Sequence, residues 1–226
     1  MRPADQERIL IQGPAGTLET IIDDPRAVHT GSDDRGADPG CGRRGVALIA
    51  HPHPLFGGTL DNKVVQTLAK TFFAQGYVSV RMNFRGVGGS EGVHDEGRGE
   101  TDDWVAVAQA MRARFGSIPV VLAGFSFGAF VQSRVAVRLA QQGMPPQRTV
   151  LVAPAVGRFP VEPVPQGALV IHGEEDDVVP LAEVMAWARP QKLPVVVLPG
   201  AGHFFHGNLV ELARFIQSSC PCTDQD

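Results

Sequence analysis

The 226-residue sequence has little of what marks several large classes of protein. It contains only three cysteines, Cys41, Cys220 and Cys222, placed in a polar segment and near the C-terminus. Three cysteines so placed form no disulfide framework, so we expect a reduced, cytoplasmic protein. Two thiols on a tail also make a poor metal site, and no metal or other cofactor is expected.

Long apolar runs and a large charge imbalance are missing as well. No run approaches the ~20 apolar residues that cross a bilayer, and the first residues lack the apolar centre of a secretory signal. The formal net charge of −4 favours neither nucleic acid nor a membrane as partner. We therefore expect a monomer or homodimer that acts on a small molecule.

Strand and helix patterns alternate along the chain, and its length suits one α/β domain over residues 1–226. A polar, aperiodic stretch at 28–44 is predicted to be a surface loop, and 219–226 a flexible tail. A hairpin is predicted over residues 9–22. The later pattern predicts strands at 46–50, 77–82, 118–123, 148–153, 168–172 and 195–198, and helices at about 60–73, 101–115, 127–140, 180–189 and 204–218.

This order predicts an α/β fold with a doubly wound, mostly parallel sheet of about eight strands and an antiparallel N-terminal hairpin. Ligands bind such sheets at the carboxyl ends of the strands. The segments rich in Gly, His and Asp all follow predicted strands, so the sequence indicates a functional site at that edge.

Two serines have glycines two positions before and after them, the G-x-S-x-G pattern of a nucleophile on a sharp strand-to-helix turn. Ser126 follows a β-branched run and precedes a helical pattern without Gly or Pro. Ser90 follows a glycine-rich loop, and no helical pattern comes after it. The context favours Ser126 as nucleophile, over the alternative that it merely caps a helix.

A serine hydroxyl needs a base to remove its proton, and the base needs a carboxylate to orient it. His203, just past the last predicted strand, is our candidate base, with His206 as the alternative. Asp176 is our candidate acid, with Asp177 as the alternative, because both follow the preceding strand. The chain order Ser126, Asp176, His203 is the order found in α/β-hydrolases.

An acyl transfer also needs two hydrogen-bond donors for the oxyanion. One is expected to be the backbone N–H of Phe127, directly after the nucleophile. The other is expected after the 46–50 strand, where we choose Leu55, with Phe56 behind it, because the prolines of His51-Pro52-His53-Pro54 have no N–H. A metal site on the two histidines of that segment is less favoured, since no carboxylate is near in sequence.

The chain resembles the α/β-hydrolase superfamily, and within it the small lidless serine hydrolases related to dienelactone hydrolases and bacterial carboxylesterases. The resembling segments are HPHPLFGGTLDNKVV (51–65), NFRGVGGSEG (83–92), GFSFGA (124–129), HGEEDDVVP (172–180) and GAGHFF (200–205). The resemblance implies a Ser-His-Asp hydrolase of small esters or thioesters. The chain differs from dienelactone hydrolases proper at the nucleophile. Those enzymes use a cysteine at the position that Ser126 occupies in this chain.

Many relatives carry a cap domain after the sixth strand, but only residues 154–167 lie in that gap, so we expect no cap and an open cleft. Four other functions stay open at this point: a peptidase, an amidase, a cofactor-free haloperoxidase-like enzyme, and a non-catalytic binding protein on the same fold. The apolar residues expected to line an acyl pocket are Leu55, Phe56, Phe125, Phe127 and Phe204.

Overall fold

The structure is a computed structural model that describes residues 6–26 and 42–219. The three cysteines and most of the 28–44 and 219–226 segments lie outside the described residues, so the predictions for them stay predictions. In the described part, no helix is both long and apolar enough to cross a membrane.

Eight strands form one sheet in the order β1-β2-β4-β3-β5-β6-β7-β8. In residues 6–26 and 42–219, five α-helices connect the strands or pack on them. The strands are β1 (Gln6–Gly13), β2 (Gly16–Asp23), β3 (Gly45–Ala50), β4 (Tyr77–Met82), β5 (Val120–Phe125), β6 (Arg148–Val152), β7 (Leu169–Gly173) and β8 (Val195–Leu198), and the helices are α1 (Lys63–Ala74), α2 (Arg98–Phe115), α3 (Phe127–Gln141), α4 (Leu181–Ala188) and α5 (Leu209–Ser219).

The strand directions confirm the predicted fold class, a mostly parallel sheet with an antiparallel N-terminal hairpin. β1 and β2 form an antiparallel hairpin that closes at Gly13 and Gly16, and β2 then pairs antiparallel with β4. From β4 through β3 to β8 every neighbouring pair is parallel. Parallel strands place their carboxyl ends at a single edge, which is where the loops with the candidate site residues begin.

The central strands are buried on both faces, as their continuous apolar runs require. Helices α2, α3 and α4 pack on one face, where Trp104, Phe130 and Leu139 are among the buried side chains. Helices α1 and α5 pack on the other face through Phe72 and Leu212 among others. Burial on both faces makes the sheet a rigid platform for the loops at its edge.

Two helix starts differ from the prediction. Helix α2 begins at Arg98 and not at a Thr101 cap, because the buried carboxylate of Glu100 accepts the amides of Asp95 and Gly97, both at 2.8 Å. Helix α5 begins at Leu209, five residues later than expected. His203 therefore lies in a loop and not at the edge of a helix.

The connection from β6 to β7 contains turns but no helix or strand, so the predicted absence of a cap domain at this position is confirmed. Several hydrogen bonds fix this segment to the body, and two of them reach α4 and α3. The indole Nε1–H of Trp187 donates to the Val161 carbonyl at 3.1 Å, and the Glu162 amide donates to Ser133 Oγ at 3.0 Å.

Substitution of Asp103 tests the main buried ion pair. The Asp103 carboxylate, 0% exposed, receives Nε–H and Nη2–H of Arg85 at 2.7 and 2.8 Å. Asp103→Asn leaves a buried guanidinium without its counter-charge, so unfolding in urea should show a loss of about 3–5 kcal/mol. The neighbouring Asp102 pairs with Arg138 at the surface, and Asp102→Asn should cost less than about 1 kcal/mol. Equal losses for the two variants would contradict this difference.

Candidate active site

Ser126 stands at a strained turn between β5 and α3. Its backbone φ is 56° and ψ is −116°, a conformation that costs a non-glycine residue free energy. Its amide donates to the Val152 carbonyl at 2.9 Å, which ties the turn to the end of β6. Although Ser126 occupies the N-cap position of α3, its side chain makes no capping hydrogen bond. The hydroxyl is therefore free for another partner.

The two glycines of the motif are required by close backbone contacts. A Cβ at Gly124 would lie 2.4 Å from the Gly128 carbonyl oxygen, and one at Gly128 would lie 2.4 Å from the Ala50 carbonyl oxygen. Both distances are far below any real contact of a Cβ, and both partners are backbone atoms that cannot rotate away. The turn can form beside the end of β3 only because these positions lack side chains.

Ser126, His203 and Asp176 form one hydrogen-bonded chain. The Ser126 hydroxyl donates to His203 Nε2 at 3.1 Å, and His203 Nδ1–H donates to Asp176 Oδ2 at 2.8 Å. All three side chains are buried to at least nine-tenths. Ser126 and His203 are 77 positions apart in sequence, and Asp176 and His203 are 27 apart. The ends of β5, β7 and β8 bring the three residues together.

The other oxygen of Asp176 is held by the backbone of its own loop. Oδ1 accepts the amides of Val178 at 2.9 Å and Val179 at 2.7 Å. Burial raises the pKa of this carboxyl, but the hydrogen bonds from His203 and Val179 and the neighbouring imidazoles outweigh it, so the net pKa is lowered. Asp176 thus stays ionised and fixes the proton of His203 on Nδ1, which leaves Nε2 as an acceptor.

The alternative candidates Ser90, Asp177 and His206 lie outside this hydrogen-bonded chain. The Ser90 hydroxyl donates to the Asn83 carbonyl at 2.7 Å and accepts the Glu19 amide at 2.9 Å, with no histidine among its partners in the described residues. Asp177 and His206 are both exposed, and neither is part of the hydrogen-bonded chain. Ser90 therefore joins β2 to the loop after β4, which is a structural role.

The amide of Leu55, the predicted second oxyanion donor, is engaged within its own turn. In the short 3-10 helix Pro54–Phe56, the Leu55 amide donates to His53 Nδ1 at 3.2 Å, and the Phe56 amide donates to the His53 carbonyl at 3.2 Å. Both amides are already bonded within the turn. The amides of His53 and Phe127, in contrast, have no acceptor in the part of the chain that the structure describes, so His53 replaces Leu55 as the candidate.

His51 and His172 are buried histidines that hold loops in place. His51 Nδ1–H donates to the Pro52 carbonyl at 2.7 Å, and its Nε2 accepts the Phe84 amide at 2.9 Å. Burial lowers the pKa of His51 to about 4, so it is neutral near pH 7. His172 Nε2–H donates to the Val179 carbonyl at 2.8 Å, and burial lowers its pKa as well. With both ring nitrogens of His51 engaged, it is not available to bind a metal.

A cleft of about 490 Å³ opens beside Ser126 and His203. Of the five residues expected to line an acyl pocket, Phe56, Phe127 and Phe204 do so. Leu55 is 70% exposed and outside the lining, and Phe125 is fully buried, with its ring centroid 5.0 Å from that of His203. The volume suits a small ligand.

Two solved structures of α/β serine hydrolases are similar to this chain over nearly its whole length. A lidless α/β serine hydrolase from Xanthomonas campestris superposes with a TM-score of 0.82 and 34% identity, over 97% of this chain and 95% of its own. An α/β serine hydrolase homologue from Coxiella burnetii gives a TM-score of 0.76 and 37% identity, over 95% and 97%. The chain belongs to the α/β-hydrolase superfamily.

Within this superfamily, an uncharacterized protein of Rickettsia prowazekii is 30% identical over 76% of each chain. The lysophosphatidylserine lipase ABHD12 of Danio rerio is 36% identical over 46% of this chain, a region that spans only 28% of the lipase. The family described as "Serine aminopeptidase, S33" matches residues 57–166, a segment that contains Ser126 but neither Asp176 nor His203. The chain is thus a serine hydrolase of the α/β type.

Three residues near the site of this α/β-hydrolase are not among the site residues predicted from the sequence. Phe159 and Arg158 line the cleft from the aperiodic segment between β6 and β7. His94 lies in a glycine-rich loop, yet its ring centroid is 4.9 Å from that of His53 and its Nδ1 is 2.8 Å from Glu100 Oε1. The only sequence signal for the contact between His94 and Glu100 is their spacing, His94-x5-Glu100, at the start of α2.

Substitution of Gly128 tests the close approach between α3 and β3. Gly128→Ala places a methyl group 2.4 Å from the Ala50 oxygen and 2.5 Å from the His51 oxygen, so urea unfolding should show a loss above about 2 kcal/mol. Gly167 has open space around it, and Gly167→Ala should stay within about 1 kcal/mol of the wild type. A Gly128→Ala variant as stable as Gly167→Ala would show that the contact is not a constraint.

Proposed function

We propose that the chain is a serine esterase that hydrolyses small carboxylic esters or thioesters through an acyl-Ser126 intermediate. The observation that carries the proposal is the chain of hydrogen bonds from Ser126 Oγ to His203 Nε2 at 3.1 Å and from His203 Nδ1 to Asp176 Oδ2 at 2.8 Å. The superfamily membership and the lipase names of several relatives are consistent with ester hydrolysis.

Acylation begins when Ser126 Oγ attacks the carbonyl carbon of the substrate. His203 Nε2 takes the hydroxyl proton as the new C–O bond forms, and the carbonyl oxygen becomes an oxyanion. Asp176 stays ionised and offsets the positive charge that then resides on the His203 ring. When the tetrahedral intermediate collapses, His203 returns the proton to the departing alcohol or thiol.

The oxyanion is proposed to be held by the backbone amides of Phe127 and His53. Phe127 is the first residue of α3, so its amide also carries the positive end of the helix dipole. Both amides have no other partner among the described residues, which makes them ready donors at the moment when charge develops. Prearranged donors cost no reorganisation during the reaction.

Deacylation repeats these steps with water as the nucleophile. His203 Nε2 removes a proton from water, the hydroxide attacks the acyl carbon, and Ser126 leaves with the proton that His203 returns. The carboxylic acid is released and the free hydroxyl is restored. The open cleft gives water direct access, so no lid movement is required between the two halves of the cycle.

Replacement of the two motif serines tests the assignment directly. Ser126→Ala removes the nucleophile and should lower kcat/KM for 4-nitrophenyl butyrate by at least about 10³-fold. Ser90→Ala removes only the two structural hydrogen bonds of that hydroxyl and should retain activity within about tenfold of the wild type. Circular dichroism controls for folding. A Ser126→Ala variant that keeps full activity contradicts the proposal.

The size of the cleft predicts a preference for short acyl chains. A volume of about 490 Å³ with no cap above it offers little apolar surface to a long chain. In a 4-nitrophenyl ester series from acetate to palmitate, kcat/KM should be highest at about four to six carbons and fall for longer chains. A maximum at long chains, or activation by a lipid interface, is the result that this account does not allow.

A peptidase is the second candidate, because the matching family is described as a serine aminopeptidase and an exposed carboxylate, Asp177, lines the cleft. A carboxylate of this kind is suited to bind a free α-amino group. Hydrolysis of aminoacyl 4-nitroanilides decides between the two. The esterase proposal expects no more than trace turnover of anilides, and efficient turnover that depends on both Ser126 and Asp177 would favour the peptidase.

A further inference from the structure

The cleft beside Ser126 is apolar on most of its surface but also carries one cationic group and hydrogen-bond donors. Among the described residues that line it, Arg158 is the only guanidinium or ammonium group. Arg158 is exposed, and no described carboxylate lies within ion-pair distance of it. A cation that faces a cleft without a counter-charge is available for a ligand.

The segment that carries Arg158 is fixed. The preceding residue, Gly157, has a φ of 77° and packs so closely on Glu183 that a Cβ would lie 2.1 Å from its Oε2. The following residue, Phe159, stacks on Phe130 with ring centroids 5.0 Å apart. The backbone at Arg158 is therefore positioned beside the cleft by contacts of its two sequence neighbours.

His53 lines the same cleft and adds a second donor. Its Nδ1 accepts the Leu55 amide at 3.2 Å, so the proton of the neutral ring is on Nε2. In the described part of the chain, this Nε2–H has no acceptor. The His53 ring is 5.7 Å from the ring of Phe159, and the positive charge of Arg158 acts on His53 strongly enough to contribute to its lowered pKa, after burial and the charge of His94.

Acidic groups are also present in the cleft and beside a sequence neighbour of Arg158, because Asp177 lines the same cleft and Glu183 lies against Gly157. Neither carboxylate comes within 4.0 Å of the Arg158 guanidinium. Asp177 directly follows Asp176, the residue bonded to His203. The anion-binding capacity of Arg158 is thus not satisfied within the described protein.

We propose that Arg158 and the Nε2–H of His53 form an anion-binding subsite beside Ser126, so that the preferred substrates are esters or thioesters that carry a carboxylate or a phosphate. This inference rests on the proposed esterase function and adds the substrate class. The anion is bound by charge-assisted hydrogen bonds while the reacting carbonyl lies at Ser126. Arg158 is a specificity-determining residue here, and it takes no part in the proton transfers.

The test compares substrates that differ in charge but hardly in shape. On the alcohol side, 4-acetoxybenzoate is compared with its neutral isostere 4-acetoxybenzamide, and 4-acetoxyphenyl phosphate distinguishes phosphate from carboxylate. On the acyl side, mono-4-nitrophenyl adipate is compared with 4-nitrophenyl adipamate. The wild type should show kcat/KM about tenfold or more higher for the anionic member of at least one pair, mainly through KM, since a charge-assisted hydrogen bond is of that strength.

Arg158→Gln should reduce this ratio to near one, Arg158→Lys should keep part of it, and Arg158→Glu should reverse it. The matched control is Arg112→Gln, which removes the same charge from an exposed arginine in a separate groove at the amino ends of the strands. It should leave the ratio unchanged. Raising the salt concentration should lower the ratio in the wild type, because the subsite is open to solvent.

The proposal is overturned if the wild type prefers no anionic member, or if Arg158→Gln keeps a preference that the wild type shows. Turnover of the neutral esters distinguishes failure of the anion-binding subsite from failure of the esterase proposal. If the wild type hydrolyses them in a Ser126-dependent way without any charge preference, the subsite is wrong and the esterase stands. If neither neutral nor anionic esters are hydrolysed, the esterase proposal itself fails.

Discussion

The backbone contact between α3 and the end of β3 is the constraint on which the candidate site depends. Gly128 lies so close to the carbonyls of Ala50 and His51 that no side chain fits, and Gly124 lies equally close to Gly128 itself. Together with the Ser126 amide bonded to Val152, these contacts join the ends of three neighbouring strands at one point. Ser126 is forced into its positive φ there, and its hydroxyl is left without a capping bond. The strain is offset by the packing of a sheet buried on both faces.

A second close approach positions the acid and the base. A Cβ at Gly173 would lie 2.3 Å from the Ala201 carbonyl oxygen, and the Glu175 amide donates to the same oxygen at 2.9 Å. The loops after β7 and β8 are therefore fixed against each other before any side chain is considered. Asp176 and His203 meet as a consequence, and the amides of Val178 and Val179 orient the carboxylate further. Glycine at two strand ends thus determines the relative position of all three polar side chains.

The sheet and the three hydrogen-bonded side chains could be predicted because each depends on a local pattern. Ser126 differs from Ser90 in its flanking strand and helix, and Asp176 and His203 are indicated by the strands that end before them.

The second oxyanion donor could not be predicted in this way. Whether an amide is free depends on the conformation of the 3-10 helix, in which the His53 side chain accepts the Leu55 amide. No sequence pattern indicates Arg158 or Phe159, because their segment has no periodicity. The start of α2 depends on a tertiary contact, the buried Glu100 carboxylate that accepts the Gly97 amide.

The central claim is that Ser126 becomes covalently acylated, and trapping the adduct tests it most directly. The protein is treated with a fluorophosphonate, its intact mass is measured, and the modified residue is located by peptide mapping. The account predicts one adduct per chain, on Ser126, lost in Ser126→Ala and greatly slowed in His203→Ala. Since His203 removes the hydroxyl proton, slow labelling of the second variant follows from the 3.1 Å contact between Ser126 Oγ and His203 Nε2. An adduct on Ser90, or no adduct on a correctly folded protein, would contradict it.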